Sequence, residues 1–237
     1  MTDATLPTPP SDRPTWGIAD IFLGVALYAL PLLALIVLQF LGVRLRLPLP
    51  ADALPVVQAA LLVVVEALLI VPVWLVAVVK ARSTWQVVGF RRASILQGCG
   101  LPILYLFVAL VAGGVWGAAI QVMNWPTQQE IVPLFENSPA AIALGFIGIV
   151  LAAPIGEEAF FRGFIIGGLR KRFGARGALL ISAAGFALLH PPITIFPVIF
   201  VLGFLLGLLF LQTKSLWPGI FMHIFFNTLG FVGQYLR

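Results

Sequence analysis

Apolar residues fill this chain in long unbroken runs. Four stretches, 21–43, 93–129, 137–156 and 177–213, contain no Asp, Glu, Lys or Arg, and each meets or exceeds the roughly 18–20 residues that span a bilayer. They are apolar on every face and do not alternate with period two, which favours membrane helices over outer-membrane β-strands. Prolines and charges divide the pattern into seven expected spans, 16–41, 54–79, 95–123, 140–170, 177–190, 193–212 and 217–236. The expected fold is therefore an all-α polytopic membrane protein with seven transmembrane helices, or eight if a re-entrant or extra span is present. No internal repeat is visible.

Two of these spans carry structural problems of their own. The fourth holds about 31 residues, roughly 46 Å as a straight helix, so it has to tilt, kink near Pro154 and Gly156, or push Arg170, Lys171 and Arg172 into the headgroups. The run 177–213 is also too long for one helix, and His190-Pro191-Pro192 splits it, because residues before proline leave the α region. Between the spans, 48–55 reads as a turn, 80–92 as a basic interfacial loop or short amphipathic helix, and 124–139 as a loop with Glu130 and Glu136.

Composition supports this class: 61% of residues are hydrophobic, only 10% are charged and the mean hydropathy is +1.08, against roughly 25% charged in soluble domains. A net charge of +5 could suggest nucleic acid, but the basic residues have a simpler topological reading. With a cytosolic N-terminus, Arg13, Lys80, Arg82, Arg91, Arg92, Arg170, Lys171, Arg172, Arg176 and Lys214 fall inside, Arg44, Arg46 and Arg237 outside, and Arg162 within the membrane. That asymmetry is the positive-inside pattern. It implies lipid and no nucleic acid as partner. Cys99 is the single cysteine and reads as packing. Residues 1–15 read as a disordered, Pro-rich cytosolic tail, without the basic start and short apolar core of a cleaved signal. Residues 16–136 are read as the N-terminal transmembrane helices.

Chemistry is concentrated in G-E-E-A-F-F-R-G at 156–163. Between Glu136 and Arg170 the only ionisable groups are Glu157, Glu158 and Arg162, and charge within a membrane span is expensive enough to indicate function. Both histidines lie in the same half, His190 in F-A-L-L-H and His223 in H-I-F-F-N. Residues four apart share a helix face, so Phe186 projects with His190 and His223 with Asn227. Counting about 1.5 Å per residue from the basic anchors, Glu157 lies about 20 Å above Arg170, His190 about 21 Å above Arg176 and Asn227 about 20 Å above Lys214. His223 lies one turn lower.

Neighbouring Glu157 and Glu158 point about 100° apart. Arg162, four residues after Glu158, suits an ion pair with it, leaving Glu157 to face the histidines. Two chemistries fit: Glu157 with His190 activates water while His223 and Asn227 hold the oxyanion, or Glu157, His190 and His223 hold a zinc ion. Asn227 is a poor zinc ligand and a good oxyanion donor, which favours the metal-free version with no cofactor. Glu66, alone within span 54–79, reads as interhelical hydrogen-bonding glue in preference to a second functional group. There is no H-E-x-x-H, no Asp after Asp52 and no G-x-S-x-G, which removes the usual zincin, aspartyl and serine designs. Ser182 reads as a small packing residue.

In this order, E-E-A-F-F-R, F-A-L-L-H and H-I-F-F-N resemble E-E-x-x-x-R, F-x-x-x-H and H-x-x-x-N of the CPBP family, the CAAX-prenyl endopeptidase and bacteriocin-processing group also called Abi. The resemblance covers roughly 140–230, so 137–237 is expected to be a CPBP-like catalytic core. It implies an intramembrane endopeptidase with a conical polar cavity formed by the C-terminal helices and opening to one membrane face. Carried over, Glu157 is the water-activating base, His190 lies beside it, and His223 and Asn227 serve the oxyanion, with Glu158, Arg162 and Phe186 in support. The family has been argued both as glutamic and as metalloprotease. The short loops suggest a bacterial inner membrane, where prenylated substrates are not the default. The expected substrate is a peptide or protein with a membrane-associated tail. A non-catalytic immunity or scaffold protein is the competing class. A proton-relay transporter using Glu66, Glu157 and the histidines is weaker, because repeats are missing.

Overall fold

The computed structural model describes residues 14–44, 50, 53–94, 96–126, 135 and 138–236. Residues 1–13 of the expected tail 1–15, most of the 124–139 loop with Glu130 and Glu136, and Arg46 and Arg237 lie outside the described residues. Long helices make up the fold and no strand occurs among the described residues. We label them α1 (Ile18–Arg44), α2 (Ala53–Lys80), α3 (Gln97–Met123), α4 (139–173), α5 (175–188), α6 (Ile193–Thr213) and α7 (Trp217–Tyr235). Four helical stretches, Ala53–Lys80, Gln97–Met123, Pro139–Leu188 and Ile193–Thr213, are long and apolar enough to cross a membrane.

Of the three solutions expected for the long fourth span, tilt, a kink near Pro154 and Gly156, or protrusion of its basic end, the kink is not the one observed. Helical φ and ψ persist through this region, and α4 instead passes through two π-helical segments, Ile147–Ala152 and Glu158–Ile166. Such widened turns occur often at functional sites. The break falls at Gly174, whose φ of 68° suits glycine and folds α5 back along α4. From Gly156 to Leu169 almost every residue of α4 is buried, so this is the central helix. Its core neighbours include Val73 of α2, Phe186 of α5, Leu206 of α6 and Ile220 of α7. Outward-facing Phe22, Ile103, Phe107 and Phe225 are more than half exposed, as side chains facing lipid must be when the polar groups are packed inside.

The basic end of the bundle is tightly built. Trp16 is buried and its Nε1 donates to the Phe164 carbonyl at 2.8 Å, while Thr15 donates to the Ala81 carbonyl at 2.8 Å and Lys80 pairs with Asp20. The stretch read as an interfacial loop contains a single helical turn, Trp85–Val88, capped by Thr84. It docks on the α6–α7 junction through Leu216 N–H to Gly89 O at 2.9 Å and Arg91 Nε to Lys214 O at 2.7 Å. Lys214 is held below its usual pKa by burial and by Arg170 and Arg91 beside it. Three of the basic residues assigned to one membrane face therefore share one end of the molecule.

Gly156 sets how closely α2 approaches the motif helix. A Cβ there would lie 2.5 Å from the Glu66 carbonyl oxygen, a backbone contact that cannot swing aside. Gly156→Ala is expected to lower stability by about 1–3 kcal/mol through overpacking, read as a reduced unfolding temperature in detergent.

Candidate active site

Helix α4 supplies two adjacent carboxylates, and their divergence separates their surroundings. Glu158 turns into the bundle, where Oε1 lies 2.8 Å from Arg162 Nη1 with both side chains about 1% exposed. Arg162 also donates from Nη2 to the Gly203 carbonyl at 3.1 Å and lies 4.5 Å from the Phe186 ring centroid, a cation–π contact. Close approach by the neighbouring helices makes this possible: a Cβ at Gly203 of α6 would come 3.0 Å from Phe186, and one at Gly219 of α7 would come 2.9 Å from Glu158 Oε2. Glu158 Oε2 and Arg162 Nε and Nη1 lack aligned hydrogen bonds in the protein. Coulombic attraction therefore holds the pair, and each charge relies on the other.

Glu157 turns to the histidines. Its Oε1 lies 3.7 Å from His190 Nε2 and its Oε2 3.6 Å from His223 Nε2. The far nitrogen of each ring is occupied. His190 Nδ1 meets the Phe186 carbonyl at 2.7 Å, and His223 Nδ1 meets Glu158 Oε1 at 3.3 Å. A carbonyl and an ion-paired carboxylate can only accept, so both Nδ1 atoms are donors, and a neutral ring then presents its Nε2 lone pair to Glu157. Lone pair faces lone pair across a gap longer than a direct hydrogen bond. One water can donate to both His190 and Glu157 there. The Phe186 ring packs against both imidazoles, with centroids 4.6 Å from His190 and 5.9 Å from His223.

These side chains border a cavity of about 240 Å³ whose wall includes Glu66, Glu157, His190, His223 and Asn227. Asn227 reaches it differently from the expectation that matched its level to Glu157. The residue beside Glu157 is His223, and Asn227, one turn further along α7, donates from Nδ2 to the Ile149 carbonyl at 2.8 Å. Ile149 lies in the first π-helical segment, and counting 1.5 Å per residue overestimates distance along such widened turns. An amide nitrogen has two hydrogens, so one N–H of Asn227 remains for the cavity. Ser182, read as packing, is buried and donates to the Phe161 carbonyl at 2.9 Å.

The residue types suit zinc, the two histidines approach different oxygens of Glu157, and among the described residues no group of three or more His, Cys, Asp or Glu is placed to hold a metal ion. Sequence reasoning underweighted Glu66 as a member of the cavity wall. The signal available was its isolation, as the only charged residue between Asp52 and Lys80. Gly203 and Gly219 left no sequence signal, since nothing local to them reveals which side chain passes overhead.

Residues 139–229 match the family model described as Type II CAAX prenyl endopeptidase Rce1-like, which bears out the resemblance carried by the three motifs. Over 140 residues the chain is 29% identical to "Putative membrane peptidase YdiL" of Bacillus subtilis (strain 168), a match covering 57% of this chain and 57% of that protein. No solved structure matches the chain significantly.

Removing one member of the buried pair should be severe. Arg162→Met alone is expected to cost about 3–5 kcal/mol, and Arg162→Met with Glu158→Leu to recover much of it, measured as unfolding temperature and folded yield in detergent.

Proposed function

We propose that this chain, whose residues 139–229 match the Type II CAAX prenyl endopeptidase Rce1-like model, is an intramembrane endopeptidase that hydrolyses a peptide bond in a membrane-associated protein or peptide. The observation that carries the reading is Glu157 placed between two Nε2 atoms, at 3.7 and 3.6 Å, on the wall of one cavity. Glu157 with His190 takes a proton from a water held between them, and the resulting hydroxide attacks the scissile carbonyl carbon. Charge then develops on the carbonyl oxygen, to which Asn227 gives its second amide N–H. His223 donates from Nε2 when the ring is doubly protonated, and Glu158 behind Nδ1 stabilises that charge as the carboxylate of a catalytic triad does.

Zinc held by Glu157, His190 and His223 is the competing mechanism, and Asn227, a poor zinc ligand and a good oxyanion donor on the same cavity wall, favours the metal-free one. The seven helices are read as seven spans with the basic end and the N-terminus in the cytosol, in a bacterial inner membrane. The grouping of Arg91, Arg170 and Lys214 at one end supports this orientation. Substrate enters with a membrane-associated tail, because the cavity opens among helices whose outer surface is apolar.

Glu157→Gln and His190→Ala are expected to lower peptide hydrolysis by the purified protein about 10²–10⁴-fold while the unfolding temperature is retained. Unchanged hydrolysis in both variants sinks the assignment. Loss of fold together with phenotype points to the immunity or scaffold class. For the metal question, activity is expected to persist in strong chelator with sub-stoichiometric metal; abolition that added zinc restores would make the protein a metalloprotease.

A further inference from the structure

The proposed hydrolysis leaves one proton unassigned. Glu157 receives a proton from water, but a departing amide nitrogen is far too basic to leave as an anion and must be protonated as the C–N bond breaks. Glu66 is a further carboxyl group on the wall of the cavity that Glu157 and His190 line. Its carbonyl oxygen lies 2.5 Å from where a Cβ on Gly156 would be, so the two carboxyl-bearing residues flank one crossing of α2 with α4. Attacking oxygen and leaving nitrogen are bonded to the same carbon, so an acid and a base acting on them must border one cavity, as Glu66 and Glu157 do.

Glu66 also lacks a structural explanation. Among the described residues its carboxyl group has no hydrogen bond or ion pair, and its backbone carbonyl is engaged by Leu69 N–H at 3.2 Å, so the role of interhelical glue finds no side-chain partner. A carboxyl group left unpaired within an apolar helix is expensive, and its partner is then to be sought in what enters the cavity.

We propose that Glu66 is the general acid of the reaction, donating its proton to the departing amine while Glu157 acts as base. This inference rests on the endopeptidase reading. In the first step a water O–H bond breaks, its proton passes to Glu157 and the hydroxide oxygen bonds to the carbonyl carbon. The C–N bond then breaks, its electron pair goes to nitrogen, and nitrogen takes the proton of Glu66. The products are a carboxylic acid and an amine. Glu157 is left protonated and Glu66 ionised, and one proton transferred between them through cavity water restores both without an outside reactant. The acid is supplied by α2, outside the matched region 139–229.

The test uses the full chain in detergent and two substrates of the same acyl sequence, a peptide amide and its p-nitrophenyl ester, whose leaving group departs without protonation. Glu66→Gln is expected to lower kcat on the amide by about 10²-fold or more, with KM little changed and the ester turned over within a few-fold of wild type. Glu157→Gln is expected to lose both. Equal amide kcat in Glu66→Gln and wild type overturns the inference and returns both proton transfers to Glu157; equal losses on amide and ester make Glu66 structural and overturn it as well. Should Glu66→Gln not accumulate, Glu66→Asp is read by the same amide-to-ester ratio, which is expected to fall and overturns the inference if unchanged. Wild-type protein that hydrolyses neither substrate removes the parent reading and this inference together, whereas an active wild type with an indifferent Glu66 removes only the latter.

Discussion

The buried pair of Glu158 and Arg162 is the contact on which the rest of the C-terminal half depends. Two charges that are almost entirely shielded, 2.8 Å apart, persist in an apolar interior only if every neighbour accommodates them. The neighbours do so through the smallest residues available. Gly203 lets α6 offer its carbonyl to Arg162, Gly219 lets α7 pass over Glu158, and Phe186 of α5 lays its ring beneath the guanidinium. The pair thereby gathers α4, α5, α6 and α7 around one point. It also reaches the chemistry, since Glu158 holds His223 by Nδ1 and so fixes which nitrogen of that ring faces Glu157.

Division of labour between adjacent glutamates follows from helix geometry. One residue along a helix turns the side chain about 100°, enough to send Glu158 into the packed interior and Glu157 to the cavity wall. Phe186 links the two environments, touching Arg162 on one side and both imidazoles on the other. Its backbone carbonyl orients His190 as well. A hydrophobic side chain thus aligns the polar groups without competing for their hydrogen bonds.

The membrane setting shapes the proposed chemistry. Hydrolysis needs water at a depth where lipid excludes it, and a cavity walled by carboxyl, imidazole and amide groups gives water several partners. The helices meet this need from the inside while presenting large apolar side chains outward. The π-helical segments fall where α4 contributes to the site, with Ile149 in one and Glu158 in the other.

Sequence alone determined the all-helical class of fold and named most residues of the candidate site. Apolar runs longer than a bilayer crossing require helices, and charge placed inside such a run requires a partner, which is why Glu157, Glu158, Arg162 and the two histidines stand out without any coordinates. The spacing of Glu158 and Arg162 even identified the supporting pair, because a four-residue separation is a local property of a helix. What depended on distant segments was not legible. The break at Gly174 in place of a kink at Pro154, the displacement of Asn227 onto Ile149, the dependence of α2 on Gly156 and the arrival of Glu66 in the cavity beside Glu157 were all decided by tertiary packing. Each is a contact between helices far apart in the chain, and hydrophobic pattern says which face is buried but not which neighbour it meets.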